Sequence, residues 1–108
     1  MKIPNSIRIG GVEYAVIDNH PSLNDGINML RGQIDYCEST IKISDQVTGH
    51  EPKCVTLWHE ILHGIREHTG LEIQNEEAVV EMFARGIYQV LQDNGRRLFD
   101  IKEEGDTK

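Results

Sequence analysis

The stretch Leu57-Trp58-His59-Glu60-Ile61-Leu62-His63 decides how this chain is interpreted, because it combines a helical pattern with the spacing of metal ligands. In an α-helix, residues four apart lie one turn apart on the same face, about 6 Å along the axis. At that separation the imidazoles of His59 and His63 can bind one Zn²⁺ with Zn–N bonds of about 2.0–2.1 Å. Glu60 follows the first histidine, where it can take a proton from a water and pass it to a leaving group. The stretch therefore predicts two metal ligands, His59 and His63, and one general base, Glu60.

The flanking residues favour a helix over about 52–68. Pro52 suits a first helical turn, and Gly70 suits a helix end. One apolar stripe would face a core, and it consists of Cys54, Trp58, Ile61, Leu62 and Ile65. The two histidines lie at the edge of this stripe, anchored by packing yet open to a cleft. The alternative is an ordinary amphipathic helix that carries two histidines by chance.

Composition limits the classes of function. The 108 residues allow one domain, and the net charge of −7 argues against nucleic acid as a partner, since phosphate binding needs a basic patch. Without an apolar leader or an 18-residue apolar run, the chain is expected to be cytoplasmic and to have no membrane partner. Two cysteines, Cys37 and Cys54, do not make a disulfide framework. Each is more often a small buried hydrophobe than a metal ligand.

The chain before the motif reads as strands. Alternating residues at 6–10 and 12–18, joined by Gly10-Gly11, predict a β-hairpin, and 32–37 with 40–44 predict a second one. Turn formers at 19–30 predict a loop with at most one short helical turn. The two hairpins predict a small antiparallel sheet of three or four strands.

The sequence predicts that the second hairpin has one core face and one strand at a functional edge. Its residues Ile34, Tyr36, Ile41 and Ile43 are predicted to point to the core. The strand at 40–44 is the last before the motif helix, so it is the candidate edge strand beside the metal. An edge strand can bind an extended peptide by adding it to the sheet.

A second helix is predicted over 75–95, from the N-cap Asn75 to the stop signal Asn94-Gly95. Its predicted core stripe centres on Val79, Phe83, Gly86 and Val90, with Val80, Ile87 and Leu91 as flanks. The fold class is therefore α+β, a small sheet followed by two packed helices. Residues 1–95 form the single predicted domain, and 96–108 form a charged tail that could add a short strand or arm at 98–101.

The third ligand is predicted from the second helix. His68 lies nine residues after His59 and would project to the opposite side of the motif helix. Glu77 and Glu81 share one face of the second helix, so Glu77 is the predicted third ligand. Glu81 would accept a hydrogen bond from the outer nitrogen of a ligand histidine. Glu76 is the reserve ligand, and the alternative for this pair is a solvated acidic face.

His59-Glu60-Ile61-Leu62-His63 followed by Glu77-Ala78-Val79-Val80-Glu81-Met82-Phe83-Ala84 resembles the gluzincin arrangement, in which a glutamate helix follows H-E-x-x-H. The chain is similar to the small ImmA/IrrE-like metallopeptidases often carried by phages and prophages, strongly over 54–91 and only in architecture over 6–44. The resemblance implies a peptidase with Zn²⁺ on His59, His63 and Glu77, with a protein or peptide substrate such as a regulator. Glu81 departs from the family, which more often has Asp or Asn there.

The sequence leaves open the oxyanion donor, the choice between several functions and the oligomeric state. The donor for the oxyanion could be Tyr36, Tyr88, His20 or His50. A zinc-binding regulatory or interaction module that keeps the fold without proteolysis is the main alternative function. In one variant of it, the tail from Arg96 covers the cleft and inhibits the enzyme. A structural phage protein is a further alternative, and the sequence assigns no oligomeric state.

Overall fold

The structure is a computed structural model that describes residues 1–99. Within them, the strands are β1 (Ser6–Ile9), β2 (Val12–His20), β3 (Asn24–Asp25), β4 (Asn28–Met29), β5 (Gly32–Asp35) and β6 (Thr40–Ser44). Two helices follow, α1 (His50–Thr69) and α2 (Glu76–Phe99). The α+β class, with a four-stranded sheet followed by two packed helices, is confirmed.

The sheet has the strand order β1-β2-β6-β5. Both predicted hairpins are present, because β1 pairs with β2 and β5 with β6 in antiparallel fashion. The expectation of an entirely antiparallel sheet was wrong at the central pair, since β2 and β6 run parallel. The reason is the path of the chain: β5 begins at the end of the sheet where β2 stops, so the second hairpin folds back with β6 on the inside.

Two predictions about these strands were also wrong. The segment 19–30 was expected to be a loop, but β2 extends through His20 and β3 pairs with β4 in a separate two-stranded ribbon. The strand at 40–44 was expected at the edge, but β6 is central and the edge strands are β1 and β5. The edge beside the motif helix therefore belongs to Gly32–Asp35.

Helix α1 covers the sheet and forms the main core with it. The buried residues of this core are Ile9, Tyr14, Ile41, Ile43, Val47, Leu57 and Ile61. A Cβ on Gly64 would lie 3.0 Å from the Ile34 side chain and 3.1 Å from that of Ile9, so this glycine allows the close contact between helix and sheet. The helix begins two residues before the predicted start and ends, as predicted, at Gly70 in the left-handed conformation. Within the predicted apolar stripe, Ile65 is exposed instead of packed.

Helix α2 packs on α1 through a face that differs from the predicted one. Val80, Ala84 and Tyr88 are buried, and the last two pack with Cys54 and Val55 of α1. The expected core residues Phe83 and Val90 are each 52% exposed, so the predicted stripe was wrong by roughly a third of a turn. Ala84 is fully buried and its small side chain lets the two helix backbones approach.

The predicted stop signal at Asn94-Gly95 was wrong, because α2 continues to Phe99. The side-chain amide of Asn94 donates to the Val90 carbonyl oxygen within the helix. The strand or arm expected at 98–101 begins in this helix, and its remaining residues lie outside the described part. Neither α1 nor α2 is long and apolar enough to cross a membrane.

Candidate metal centre

The motif histidines and Glu60 line a cleft of about 500 Å³ between α1, the start of α2 and the edge strand β5. One wall is made by the motif residues on α1, and Glu77 contributes the start of α2. The opposite wall is made by β5 and by the residues at 29–31 that lead into it. The cleft therefore places the edge strand β5 directly across from the motif.

Three side-chain atoms converge in this cleft. The Nε2 atoms of His59 and His63 lie 3.1 Å apart. The Glu77 carboxylate lies 3.2 Å through Oε2 from the His59 Nε2 and 2.7 Å through Oε1 from the His63 Nε2. Ligand atoms bound at about 2.0–2.1 Å around a tetrahedral Zn²⁺ are separated by about 3.3 Å. The two nitrogens are close to that spacing, and the Glu77 carboxylate turns one oxygen toward each of them.

Hydrogen bonds on the outer side of each ring indicate which nitrogen carries the proton. The Nδ1 of His59 lies 2.8 Å from the Glu81 carboxylate, and the Nδ1 of His63 lies 2.6 Å from the Glu76 carboxylate. Ionised carboxylates only accept, so each Nδ1 donates and each Nε2 of a neutral ring presents a lone pair. Three acceptors then face one another, and this donor set fits a metal ion.

The outer carboxylates are themselves held by cations. Desolvation disfavours the charged form of Glu81, but the hydrogen bond from His59 and the charges of Arg31 and Arg85 outweigh it and lower the pKa of Glu81. Arg31 lies 3.1 Å and Arg85 2.7 Å from that carboxylate. Both contacts favour the charged form, which is the form that accepts a hydrogen bond from a ligand histidine.

Glu76 has the equivalent position beside His63. Its pKa is lowered chiefly by the hydrogen bond from His63, with a further contribution from Arg66 at 3.1 Å. Glu76 was predicted as the reserve ligand, but its carboxylate meets the outer Nδ1 and not the Nε2 side where the three atoms converge. It therefore matches Glu81 in position, and each histidine has its own carboxylate from α2.

Glu60 lies beside the cluster and is nearly buried, with 7% of its surface exposed. Burial is the largest effect on it and raises the pKa of Glu60, and Glu77 adds to the rise, while His59, His63 and the backbone of Ile34 oppose it. A raised pKa makes a carboxylate a better proton acceptor near neutral pH. A Cβ on Gly32 would lie 3.1 Å from the Glu60 carboxylate, so the missing side chain lets β5 approach the base.

Glu77 lies on the solvent-exposed side of the site. Its side chain is 78% exposed, in contrast to 11% for His59 and 14% for His63. Both of its carboxylate oxygens nevertheless point at the imidazoles. Of the three candidate ligands, the two histidines are therefore anchored by packing and Glu77 faces solvent.

Of the four residues considered as oxyanion donors, only Tyr36 lines the cleft. Its hydroxyl donates to the His63 carbonyl oxygen at 3.1 Å, and desolvation, with the charge of Glu67, raises the pKa of Tyr36 to about 12. Tyr36 is 38% exposed, which corrects the expectation that it points into the core. Tyr88 is buried between the helices, His50 contacts the Met1 carbonyl, and His20 ends strand β2.

The remaining histidine and the cysteines stand apart from the cluster. His68 is hydrogen-bonded to the Tyr14 hydroxyl at 2.7 Å, on the sheet side of α1. Cys54 is buried between the helices and Cys37 is exposed, and both thiols are free. Among residues 1–99, the group of metal-ligand side chains that comes together is His59, His63 and Glu77.

Sequence reasoning missed Arg31 and the outer role of Glu76. Arg31 lies among turn formers far from the motif in sequence, and only the order of the strands brings it beside Glu81. The outer role of Glu76 could have been predicted, because Glu76 lies one residue before Glu77 on a helix that faces two histidines. Each histidine of a metal site commonly needs an outer partner, and that rule would have assigned Glu76 to the second one.

Comparison of the chain with protein-family models, with curated proteins and with solved structures found no match. The fold and the site therefore define a class: an α+β protein with a candidate His-His-Glu metal site on two packed helices.

Proposed function

We propose that this protein is a zinc-dependent peptidase of the gluzincin type, similar to the ImmA/IrrE-like enzymes, and that it hydrolyses a peptide bond in a protein or peptide substrate. The observation that carries the proposal is the convergence of His59, His63 and Glu77 beside the nearly buried Glu60. A bound zinc ion would supply Lewis acidity, polarising a carbonyl oxygen and lowering the pKa of a water. Two nitrogens and one carboxylate are the ligand set typical of catalytic zinc in peptidases.

The residues around the site have separate roles in the proposed reaction. His59 and His63 would hold the metal, while Glu81 and Glu76 fix the orientation of the rings. Glu60 takes the proton from the attacking water and delivers it to the leaving amine, which its raised pKa favours. Arg31 and Gln33 carry donors in the cleft walls, and Tyr36 would have to release the His63 carbonyl oxygen before its hydroxyl could contact the substrate carbonyl.

The edge strand β5 supports a peptide as the substrate. An edge strand leaves backbone N–H and C=O groups without a strand partner, and an extended peptide can pair with them. The backbone N–H of Ile34 donates a hydrogen bond to the Glu60 carboxylate, so the edge of β5 that has no strand partner faces the proposed base. A peptide added to this edge would pass in front of Glu60 and the three converging atoms.

Metal content and cleavage by Glu60→Gln test the proposal together. The substitution keeps the size of the side chain and removes its basicity, so we expect zinc binding to persist and cleavage to fall by at least about 100-fold. The measurements are zinc per chain by atomic spectroscopy and cleavage of a peptide library by mass spectrometry. Glu51→Gln, at an exposed position in the first turn of the same helix, is the matched control.

Each result decides between the alternatives. Zinc without cleavage by the unaltered protein would favour a zinc-binding regulatory or interaction module. Equal cleavage by the Glu60 variant would reject the assigned base. No zinc in the unaltered protein would reject both functions. A shorter chain ending at Phe99 that cleaves faster would instead indicate inhibition by residues 100–108.

A further inference from the structure

We propose that Arg31 selects the substrate of the metal site by binding a carboxylate of the peptide, supplied by an acidic side chain or by a free C-terminus. The inference rests on the proposed function, because it concerns the same cleft and names the class of peptide that the cleft takes. Two observations carry it: Arg31 lies in the cleft wall, and positive charge is in excess around it.

Arg31 lies between the substrate cleft and the metal ligands. Its side chain is 55% exposed and lines the cleft, immediately before the edge strand β5. Its Nη2 lies 3.1 Å from Oε1 of Glu81, and the same oxygen lies 2.8 Å from the His59 Nδ1. An extended peptide advances about 3.3 Å per residue, so the guanidinium lies within about two residues of His59. A peptide bound at the metal site would therefore bring a neighbouring residue within reach of Arg31.

The charges around Glu81 do not cancel. Arg31 lies 3.1 Å from one oxygen of this carboxylate and Arg85 lies 2.7 Å from the other. In the part of the chain that the structure describes, neither arginine forms an ion pair with a second acid. Two guanidinium groups thus share one carboxylate, which leaves one positive charge in excess. An ionised carboxylate of the substrate would balance that charge.

The outer carboxylate of His63 has the opposite charge balance. Arg66 lies 3.1 Å from Glu76 and 2.8 Å from Glu67, so one guanidinium is shared by two carboxylates. One negative charge is therefore in excess on that side. The two sides of the candidate metal site differ in sign, and the positive side is the one at which Arg31 lines the cleft.

The guanidinium of Arg31 keeps donors for a second carboxylate. An arginine side chain carries five N–H groups, and the contact with Glu81 is made through Nη2. Arg31 also borders a neighbouring hollow of about 380 Å³ together with Met29 and Leu30, so there is space for a substrate group beside the side chain. The planar fork of N–H groups matches the two oxygens of a carboxylate better than an ammonium group does.

Three pools of short peptides test the inference. All are acetylated at the N-terminus and random in uncharged residues. The first has a central Glu and an amidated C-terminus, the second has Gln in place of that Glu, and the third has the Gln and a free C-terminal carboxylate. Each pool is incubated with the Glu60→Gln variant in the presence of zinc, and mass spectrometry quantifies the retained peptides.

We expect the first pool, the third pool or both to be retained about tenfold better than the second, because a hydrogen bond between charged groups is gained. The pool that is favoured identifies the source of the carboxylate. An acidic side chain is indicated by the first pool and a free C-terminus by the third.

Substitutions of two arginines separate recognition of the substrate from support of the metal site. Arg31 and Arg85 both bind Glu81, but only the former is among the residues that line the cleft. In the Glu60→Gln background, Arg31→Gln should remove the preference for a carboxylate, and Arg31→Lys should keep part of it. Arg85→Gln, the matched control, should keep the preference. The zinc content of each variant is measured on the same samples.

Equal retention of the three pools by the Glu60→Gln variant would overturn the inference, and so would a preference that persists in Arg31→Gln. Loss of the preference to the same extent in Arg31→Gln and Arg85→Gln would also overturn it, because Arg31 would then act only through Glu81. Cleavage of the same pools by the unaltered protein tests the proposed function separately. A carboxylate preference in binding without cleavage would reject the peptidase and keep the role of Arg31, whereas equal cleavage of all pools would do the reverse.

Discussion

The two faces of helix α2 are opposite in character and in use. The face toward α1 carries Glu77, Glu81 and the fully buried Ala84. The face away from α1 carries Val79, Phe83 and Val90, which are larger and more apolar yet partly or largely exposed. The more hydrophobic face is therefore not the one that is buried. Close approach of the helices and pairing of the carboxylates with the histidines therefore accompany the orientation of α2, and burial of its most apolar face does not.

The largest effect is expected at the inner carboxylates. Glu77→Ala removes a ligand and should abolish stoichiometric zinc binding. Glu81→Gln keeps all three ligands but weakens the partner of His59, so it should lower zinc affinity by about 10–100-fold. Competition with a chromophoric chelator measures both constants.

The exposed Glu72→Ala, just before α2, is the control for these two variants and should bind zinc as the unaltered chain does. Equal affinity in the Glu77 variant would mean that the inner face of α2 does not form the metal site. The inner face of α2 would then differ from the outer face in packing but not in function.

A second variant tests how closely the helices approach. Ala84→Leu inserts a large side chain into a fully buried position between α1 and α2, and should lower the free energy of unfolding by about 1–3 kcal/mol. Ala78→Leu makes the same change at an exposed position of the same helix and should stay within about 0.5 kcal/mol. Urea denaturation measures both. Similar losses in the two variants would contradict the assignment of the inner face.

The smallest effect is expected from glycine substitutions in the two helices. Gly86→Ala should raise the free energy of unfolding by about 0.5–1 kcal/mol, because the added methyl meets no atom of the described residues. Gly64→Ala gains the same helix propensity, but its methyl would press on Ile34 at 3.0 Å and on Ile9 at 3.1 Å. We expect it to be less stabilising than Gly86→Ala. The reverse order would mean that the outer face is packed within the single chain.

The fold could be predicted largely because its signals are local. The hairpin turn at Gly10-Gly11 and the alternation around it identified β1 and β2, and the end of α1 at Gly70 followed from one residue. The order of the strands could not be predicted in this way. Whether β6 is central or at the edge depends on the path of 19–30, and periodicity says nothing about which neighbour a strand finds.

In the candidate site, too, local features could be predicted from the sequence and tertiary contacts could not. The spacing of His59 and His63 is a property of any helix, so their proximity could be predicted from the sequence. The positions of Glu76 and Arg31 depend on how α2 and β5 pack on α1, and these were missed or misassigned. The roles of zinc and of Glu60 remain proposals.

By itself, the sequence determined the two helices, the two hairpins and the pair of histidines one turn apart, since each depends on contacts between residues close in the chain. Only the tertiary structure decided that the central strands are parallel and that β5 borders the cleft. It also decided that α2 turns its carboxylates inward and its larger apolar residues outward. A hydrophobic pattern marks a face that can pack, but it does not say which face of α2 the rest of the chain will bury.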